Sequence, residues 1–293
     1  MTNATGITNA TTTQSGKVWL ITGASTGFGR LLAEHLCELG ATVVATARNV
    51  DQLKDFTLRH AGNAIILPLD VRDADSIKHA VADAIGHAGH VDVLVNNAGY
   101  GVTGAIEEVS AAEFMPMFET NVFGLIQLTQ ALLPQFRARR SGNIVNISSI
   151  GGLIGTPGWG FYNATKFAVE GFSEALAGEM EPLGVHVTVV EPGPFRTDFL
   201  GRSGVLSETV IPDYQLTAGK AREYFQAASG KQPGDPRRAV EAIVAAVSAP
   251  APPRHLLLGK SALTRFRTRL EQWTKELDQW EQVSLGADYP EGE

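Results

Sequence analysis

The chain has 293 residues, 44% of them hydrophobic and 19% charged, an ordinary globular balance that excludes a wholly disordered chain. Its 24 Lys and Arg face 31 Asp and Glu, a formal net charge of −7, so no basic excess is available for phosphate backbones and no nucleic-acid role is expected. The single cysteine, Cys37, excludes an internal disulfide framework and a thiolate zinc cluster.

No run of eighteen apolar residues is present, so no membrane span is expected. The first residues lack the basic and apolar regions of a secretory signal, and a cytoplasmic protein is the expectation. Residues 1–15 are mostly Thr, Asn and Ala, too poor in apolar surface to offset ordering entropy, and are expected to form a disordered tail. The remainder, 16–293, is expected to be one domain.

From Lys17 onward, short apolar runs rich in β-branched residues alternate with longer stretches of helical period. The runs are Val18 to Thr22, Ala41 to Thr46, Ala64 to Leu69, Val91 to Asn96, Asn143 to Ser148 and Val185 to Val190. Most are apolar nearly throughout, as strands covered on both faces of a parallel sheet are. The intervening stretches, Arg30 to Leu39, Asp73 to His87, Glu113 to Arg139 and Tyr162 to Leu183, are long enough for crossover helices. This alternation predicts an α/β fold, a single doubly wound parallel-sheet domain of Rossmann type. Past Pro192 the rhythm breaks, and about 195–236 reads as a long substrate loop with short helices. Pro236 to Ser248 has helical period, and His255 onward resembles a final strand. A closing helix over about 262–284 carries Leu270, Trp273, Leu277 and Trp280 on one face, to dock on its own domain or on a sister subunit.

The first strand runs into Thr22-Gly-Ala-Ser-Thr-Gly-Phe-Gly29, followed by a helical stretch. Glycines there let the backbone bend tightly and approach a pyrophosphate, and the helix start offers free N–H groups to that anion. The spacing is Gly-x-x-x-Gly-x-Gly. Further along stand Asp70, Asn96-Asn-Ala-Gly99, Asn121, Ser149, Tyr162-x-x-x-Lys166 and Pro192-Gly193 with Thr197. Together these motifs resemble the short-chain dehydrogenase/reductase family, over roughly Lys17 to Leu258, and within it the hydroxysteroid- and retinol-dehydrogenase-like part.

The resemblance implies a cofactor cradle of Gly23, Ser25, Thr26, Gly27, Phe28 and Gly29, with Asp70 and Val71 at the adenine pocket. It adds Asn97, Ala98 and Gly99 as a floor, then Pro192, Gly193, Phe195 and Thr197, with Tyr162 and Lys166 touching the cofactor as well. Tyr162 and Lys166, four apart on a helical segment, project from one face. Tyrosine ordinarily titrates near ~10, and a lysine cation with the positive nicotinamide ring is expected to lower that value for acid/base work. The family's catalytic serine precedes the tyrosine by thirteen residues, which selects Ser149 to position the carbonyl and leaves Ser148 to satisfy local backbone. Asn121 is implied to hold a water linking Lys166 to solvent.

A serine-hydrolase reading fails, because neither serine sits in Gly-x-Ser-x-Gly. The seven histidines are scattered, His186 reads as a packed strand residue, and no metal is expected. At the end of the second strand, Ala47 and Arg48 replace the acidic residue of NAD-preferring relatives. Arg48 suits a 2′-phosphate, so NADP(H) is expected ahead of NAD(H). Leu153, Ile154, Trp159, Phe195, Phe199, Leu200, Tyr214 and Tyr224 are expected to line the substrate side with few fixed charges, favouring an apolar or aromatic small-molecule carbonyl or alcohol. An NAD-preferring secondary-alcohol dehydrogenase and a non-catalytic redox sensor are the alternatives. The resemblance implies a homodimer or homotetramer, paired through Glu113 to Arg139 and Tyr162 to Leu183, whose small residues permit close approach but also suit packing within one chain.

Overall fold

The computed structural model describes residues 14–289. Nine strands occur in it: β1 (Val18–Ile21), β2 (Thr42–Ala47), β3 (Ala64–Pro68), β4 (Val93–Asn96), β5 (Gly101–Thr103), β6 (Gly142–Ile147), β7 (Val185–Pro192), β8 (Gly204–Leu206) and β9 (His255–Leu258). The longer helices are α1 (Gly27–Glu38), α2 (Lys54–Arg59), α3 (Ala74–Ala88), α4 (Ala111–Phe118), α5 (Leu125–Arg139), α6 (Gly160–Met180), α7 (Lys220–Ala228), α8 (Pro236–Val247) and α9 (Lys260–Leu285).

Seven strands form one parallel sheet in the order β3-β2-β1-β4-β6-β7-β9. The period-two alternation of β1 divides the core: Trp19 and Ile21 join α1 and α8 on one face, Leu20 joins α3, α5 and α6 on the other. Both faces are buried, as the unbroken apolar runs require. Strand order reverses between β1 and β4, which opens a crevice beyond their carboxyl ends.

Several expectations need correction. The tail call falls mainly on residues outside those described, but Gln14 is buried and its Nε2 donates to Ser148's distant namesake Ser248 (2.9 Å), so the ordered domain starts before residue 16. Glu113 to Arg139 is not one helix: α4 gives way to a single wide π-turn, Glu119–Gly124, before α5. His186 is exposed, since it lies at the start of β7 where helical cover has not begun. A second, two-stranded parallel sheet joins β5 to β8, outside the main rhythm. Only the first turns of α9 pack on the domain, through Ala262, and its tryptophans are exposed.

Candidate active site

The β1–α1 turn is built by steric necessity. Gly23 has φ +65°, where a side chain is strained, and a Cβ on Gly29 would lie 2.4 Å from Asn97 Nδ2 and 2.5 Å from the Gly23 carbonyl. Asn97 Nδ2 donates to the carbonyls of Thr22 (2.8 Å) and Gly23 (3.1 Å), while the Thr22 hydroxyl accepts from the N–H groups of Asn97 and Ala98, both at 2.9 Å. These bonds lock the turn to the end of β4. Thr26 makes no side-chain cap and the first turn of α1 has no acidic residue, so its N–H groups and the positive end of the helix face the crevice unopposed.

One cavity of about 1420 Å³ runs from this turn across the ends of β4 and β6 to the segment after β7. It is lined by Gly23, Ser25, Thr26, Gly27 and Phe28 from the turn, by Arg48, Asp70 and Val71 at one end, and by Asn97, Ala98 and Gly99 beneath. Ser149, Tyr162, Lys166, Pro192, Gly193, Phe195 and Thr197 complete the wall. Gly29 and Asn121 do not reach it; Gly29 stands behind the turn and Asn121 behind Gly99.

At the Arg48 end, Asp70 is held by Arg72, with Nη2 at 2.7 Å and Nε at 3.1 Å, and the Arg72 pair keeps its carboxyl below the usual carboxylate range. Arg48 has no ion-pair partner among the described residues. Arg72 also lines the cavity and is a site residue that the sequence motifs did not single out, although it stands two residues after Asp70.

At the centre, Lys166 is buried and its Nζ donates to the Ile147 carbonyl (2.8 Å) while lying 5.8 Å from the Tyr162 ring centre. Burial lowers the ammonium to about 8, against the opposing charge of Glu170. Burial raises the Tyr162 phenol to about 12, with only the Ser149 hydroxyl favouring the phenolate. The expected lowering joins Lys166 to a bound nicotinamide ring; in the chain alone burial sets the direction. Ser149 Oγ accepts the Gly151 N–H (3.0 Å), which fixes it beside Tyr162 and leaves its own proton free to point elsewhere.

Asn121 sits in the π-turn, which widens the helix enough to aim its amide at β5's approach: Oδ1 accepts from Tyr100 N (3.0 Å) and Nδ2 donates to Tyr100 O (2.8 Å) and Thr165 Oγ1 (3.1 Å). A Cβ on Gly99 would stand 3.0 Å from Asn121 Oδ1 and 3.6 Å from Lys166 Nζ, so this glycine lets the two approach. Ser148 does not serve backbone groups; its hydroxyl makes no hydrogen bond among the described residues and lies with the likewise unpartnered Glu170 carboxylate against Gly152. Burial raises Glu170 to about 7 and Glu191 to about 8, and His255 Nδ1 lies 2.7 Å from Glu191 and 3.8 Å from Glu170.

On the substrate side, Trp159, Tyr162 and Phe199 form an aromatic cluster with ring centres 5.4–6.2 Å apart. Leu200 and Tyr224 line the cavity as expected, whereas Leu153, Ile154 and Tyr214 do not; the Tyr214 hydroxyl donates to Glu107 instead (2.6 Å). The expectation of few fixed charges is also revised, because Arg202, Lys220 and Arg265 line this end with Asp198. Gln232, a residue no motif marked, is buried at the wall with its side-chain amide unpartnered among the described residues.

A seven-stranded parallel sheet with a glycine turn at the strand-order reversal defines a nucleotide-binding α/β oxidoreductase fold. The short chain dehydrogenase family model matches residues 17–204, and the chain belongs to that family. It is 35% identical over 272 residues to Oxidoreductase BOA17 of Botryotinia fuckeliana (strain B05.10), covering 92% of this chain and 99% of that one. It is 35% identical over 270 residues to human retinol dehydrogenase 8, covering 85% and 84% respectively. A short-chain dehydrogenase from Streptomyces avermitilis superposes with TM-score 0.87 at 44% identity, over 93% of this chain and 100% of that one. A Burkholderia phymatum family member in complex with NAD gives 0.79 at 27% identity (90% and 96% covered), and a serine dehydrogenase complexed with NADP+ gives 0.70 at 28% (82% and 94%). The chain is an oxidoreductase of a family whose members bind nicotinamide nucleotides. No helix among the described residues is long and apolar enough to cross a membrane.

Proposed function

We propose that the protein is an NADP(H)-dependent reductase that interconverts a small-molecule carbonyl and its secondary alcohol. The observation that carries this reading is the convergence of Ser149, Tyr162 and Lys166 on one cavity with an uncapped helix start and glycine turn. The turn fits a pyrophosphate on its own geometry, since a Cβ at Gly29 would collide with the groups that shape it. When bound, the nucleotide supplies or accepts the hydride at the carbonyl carbon.

The residues of the chain carry the rest. Ser149 donates a hydrogen bond to the carbonyl oxygen and holds it against Tyr162. Tyr162, protonated at neutral pH because burial raises it to about 12, breaks its O–H bond to that oxygen as the carbon becomes tetrahedral. Lys166 stabilises the phenolate so formed, and Asn121, pinned by Tyr100 and Thr165, keeps the path behind Lys166 open for reprotonation.

Arg48 supports NADP(H): it lines the adenine end without an acidic partner, whereas Asp70 is already engaged by Arg72. The aromatic cluster of Trp159 and Phe199 supports an apolar or aromatic substrate body, and Arg202, Lys220 and Arg265 support a polar or anionic group at its outer end. A homo-oligomer is supported by Met115, Phe123 and Phe167, which are exposed on the helices around α6. The test is a panel of ketones and alcohols assayed with each nucleotide by nicotinamide absorbance. Turnover of apolar ketones with NADPH is the expected result; nucleotide binding without turnover of any panel member rejects the reading.

A further inference from the structure

The helix α9 leaves its domain. Every residue from Leu270 to its end is exposed, including Trp273 (40%), Leu277 (70%) and Trp280 (57%). Most helical stability in proteins comes from packing of an amphipathic face, which this part of α9 lacks on its own domain while exposing two tryptophans. Its apolar residues are not scattered. Leu263, Phe266, Leu270, Trp273, Leu277 and Trp280 follow the alternating three- and four-residue spacing of a coiled-coil seam, and Leu263 is exposed as well.

Charge along the helix is divided in the same way. Lys260, Arg265, Arg267 and Arg269 fall in its first part with no acidic residue among them. Glu271, Glu276, Asp278 and Glu281 follow, with Lys275 alone among them. A partner helix of like sequence therefore fits antiparallel.

We propose that α9 pairs with α9 of a second copy of this chain, antiparallel and about a two-fold axis near residues 271 and 272. In that register Leu270 faces the partner copy's Trp273, Phe266 faces its Leu277, and Leu263 faces its Trp280, so all six seam residues are covered in symmetric layers. The flanks agree: Arg269 lies opposite Glu276, and Lys260 opposite Glu281. Sliding the pair by one heptad sets Glu276 against its own counterpart, and a parallel pair sets Glu276 against Glu281, so both alternatives place like charges together. The interface is isologous, as a closed dimer requires. It is separate from the apolar face around α6. The same helix touches the cavity away from the seam, where Arg265 lines it and donates to Thr156 (2.9 Å).

The test uses the full chain and reads mass by light scattering at micromolar concentration. Leu277→Glu with Trp280→Glu is expected to halve the mass, with circular dichroism and basal turnover retained. Arg269→Glu alone and Glu276→Arg alone each place like charges across the pair, and each is expected to weaken association about tenfold. Mixing these two variants restores opposite charges at both contacts and is expected to recover wild-type association, which only the antiparallel register explains. An unchanged mass in the Leu277/Trp280 variant overturns the proposal, as does a mixture no tighter than either variant alone. Sedimentation of the wild type with phosphatidylcholine–phosphatidylserine vesicles, lost on Trp280→Glu while mass stays constant, also overturns it by assigning the face to lipid.

Discussion

The two ends of the cavity are held in different ways. The nucleotide end presents main chain: its glycine turn is held by Asn97 Nδ2, which donates to the carbonyls of Thr22 and Gly23, and by the Thr22 hydroxyl, which accepts from the N–H groups of Asn97 and Ala98. The substrate end is fixed by side chains reaching across the sequence. Glu108 is buried, accepts from the N–H groups of Ala105 and Ile211 (both 2.8 Å), and pairs with Arg222 of α7 (3.0 Å). Arg222 in turn donates to the carbonyls of Ser207 (3.0 Å) and Thr209 (2.7 Å). A main-chain cradle serves a constant ligand. A side-chain clamp is replaceable one residue at a time, and suits the part of a fold where substrates differ.

The largest expected effect lies where the two ends meet. Tyr162→Phe keeps the ring against Trp159 and Phe199 but removes the transferable proton. Turnover is expected to fall about a thousandfold while nucleotide affinity, measured by fluorescence titration, stays near that of the wild type. Near-normal turnover would remove Tyr162 from the chemistry.

Next comes the clamp. Arg222→Met leaves Glu108 buried without its cation, and breaking such a pair costs about 3–5 kcal/mol where burial is complete. Arg222 is slightly exposed, so about 3 kcal/mol is expected, read as a lowered denaturation midpoint. The informative reading is the split: KM for the carbonyl should rise while the nucleotide Kd is unchanged. Equal loss of both would show that the two ends are not held separately.

This difference also explains what was legible in the sequence. The strands, the crossover helices and the turn follow from apolar periodicity and from glycines at Gly23 and Gly29, which are local signals. The resemblance named Ser149, Tyr162 and Lys166, and the cavity brings them together. Glu108–Arg222 and the β5–β8 pair join residues about a hundred positions apart, and no period or spacing announces them. The π-turn at Asn121 was hidden because its residues continue a helical pattern. The upward push of burial on Tyr162 was not legible, because burial is a tertiary property, absent from the spacing of two side chains.

At the adenine end the expected effect is smaller. Ala47→Asp with Arg48→Leu adds repulsion against a 2′-phosphate and an acceptor for a ribose hydroxyl. A preference for NADP(H) of about 1–3 kcal/mol is expected in the wild type and should reverse in the variant. Salt should erode it, since Arg48 is exposed. Equal binding of both nucleotides, unaffected by Arg48→Leu, removes the basis for NADP(H).

A last effect concerns Glu191, which belongs to neither end but lies behind Lys166 with Glu170. Its carboxyl is fully buried, and burial raises it from an ordinary 4.5 to about 8. The neutral form is thus favoured in the folded chain, while the unfolded chain ionises near 4.5. The stabilisation is fully present below about 4.5 and is lost as pH rises through about 8. Facing groups act on this carboxyl: Glu170 opposes ionisation, whereas the Leu256 N–H favours it, and His255 Nδ1 lies 2.7 Å away. Glu191→Gln keeps the shape and an acceptor for His255 but cannot ionise. The variant should gain on the wild type progressively as pH rises from 5 to 8, read from denaturation midpoints across that range. A constant difference at every pH would mean that Glu191 does not change protonation on unfolding, and the carboxylate would then have to be ionised in the fold and balanced by His255.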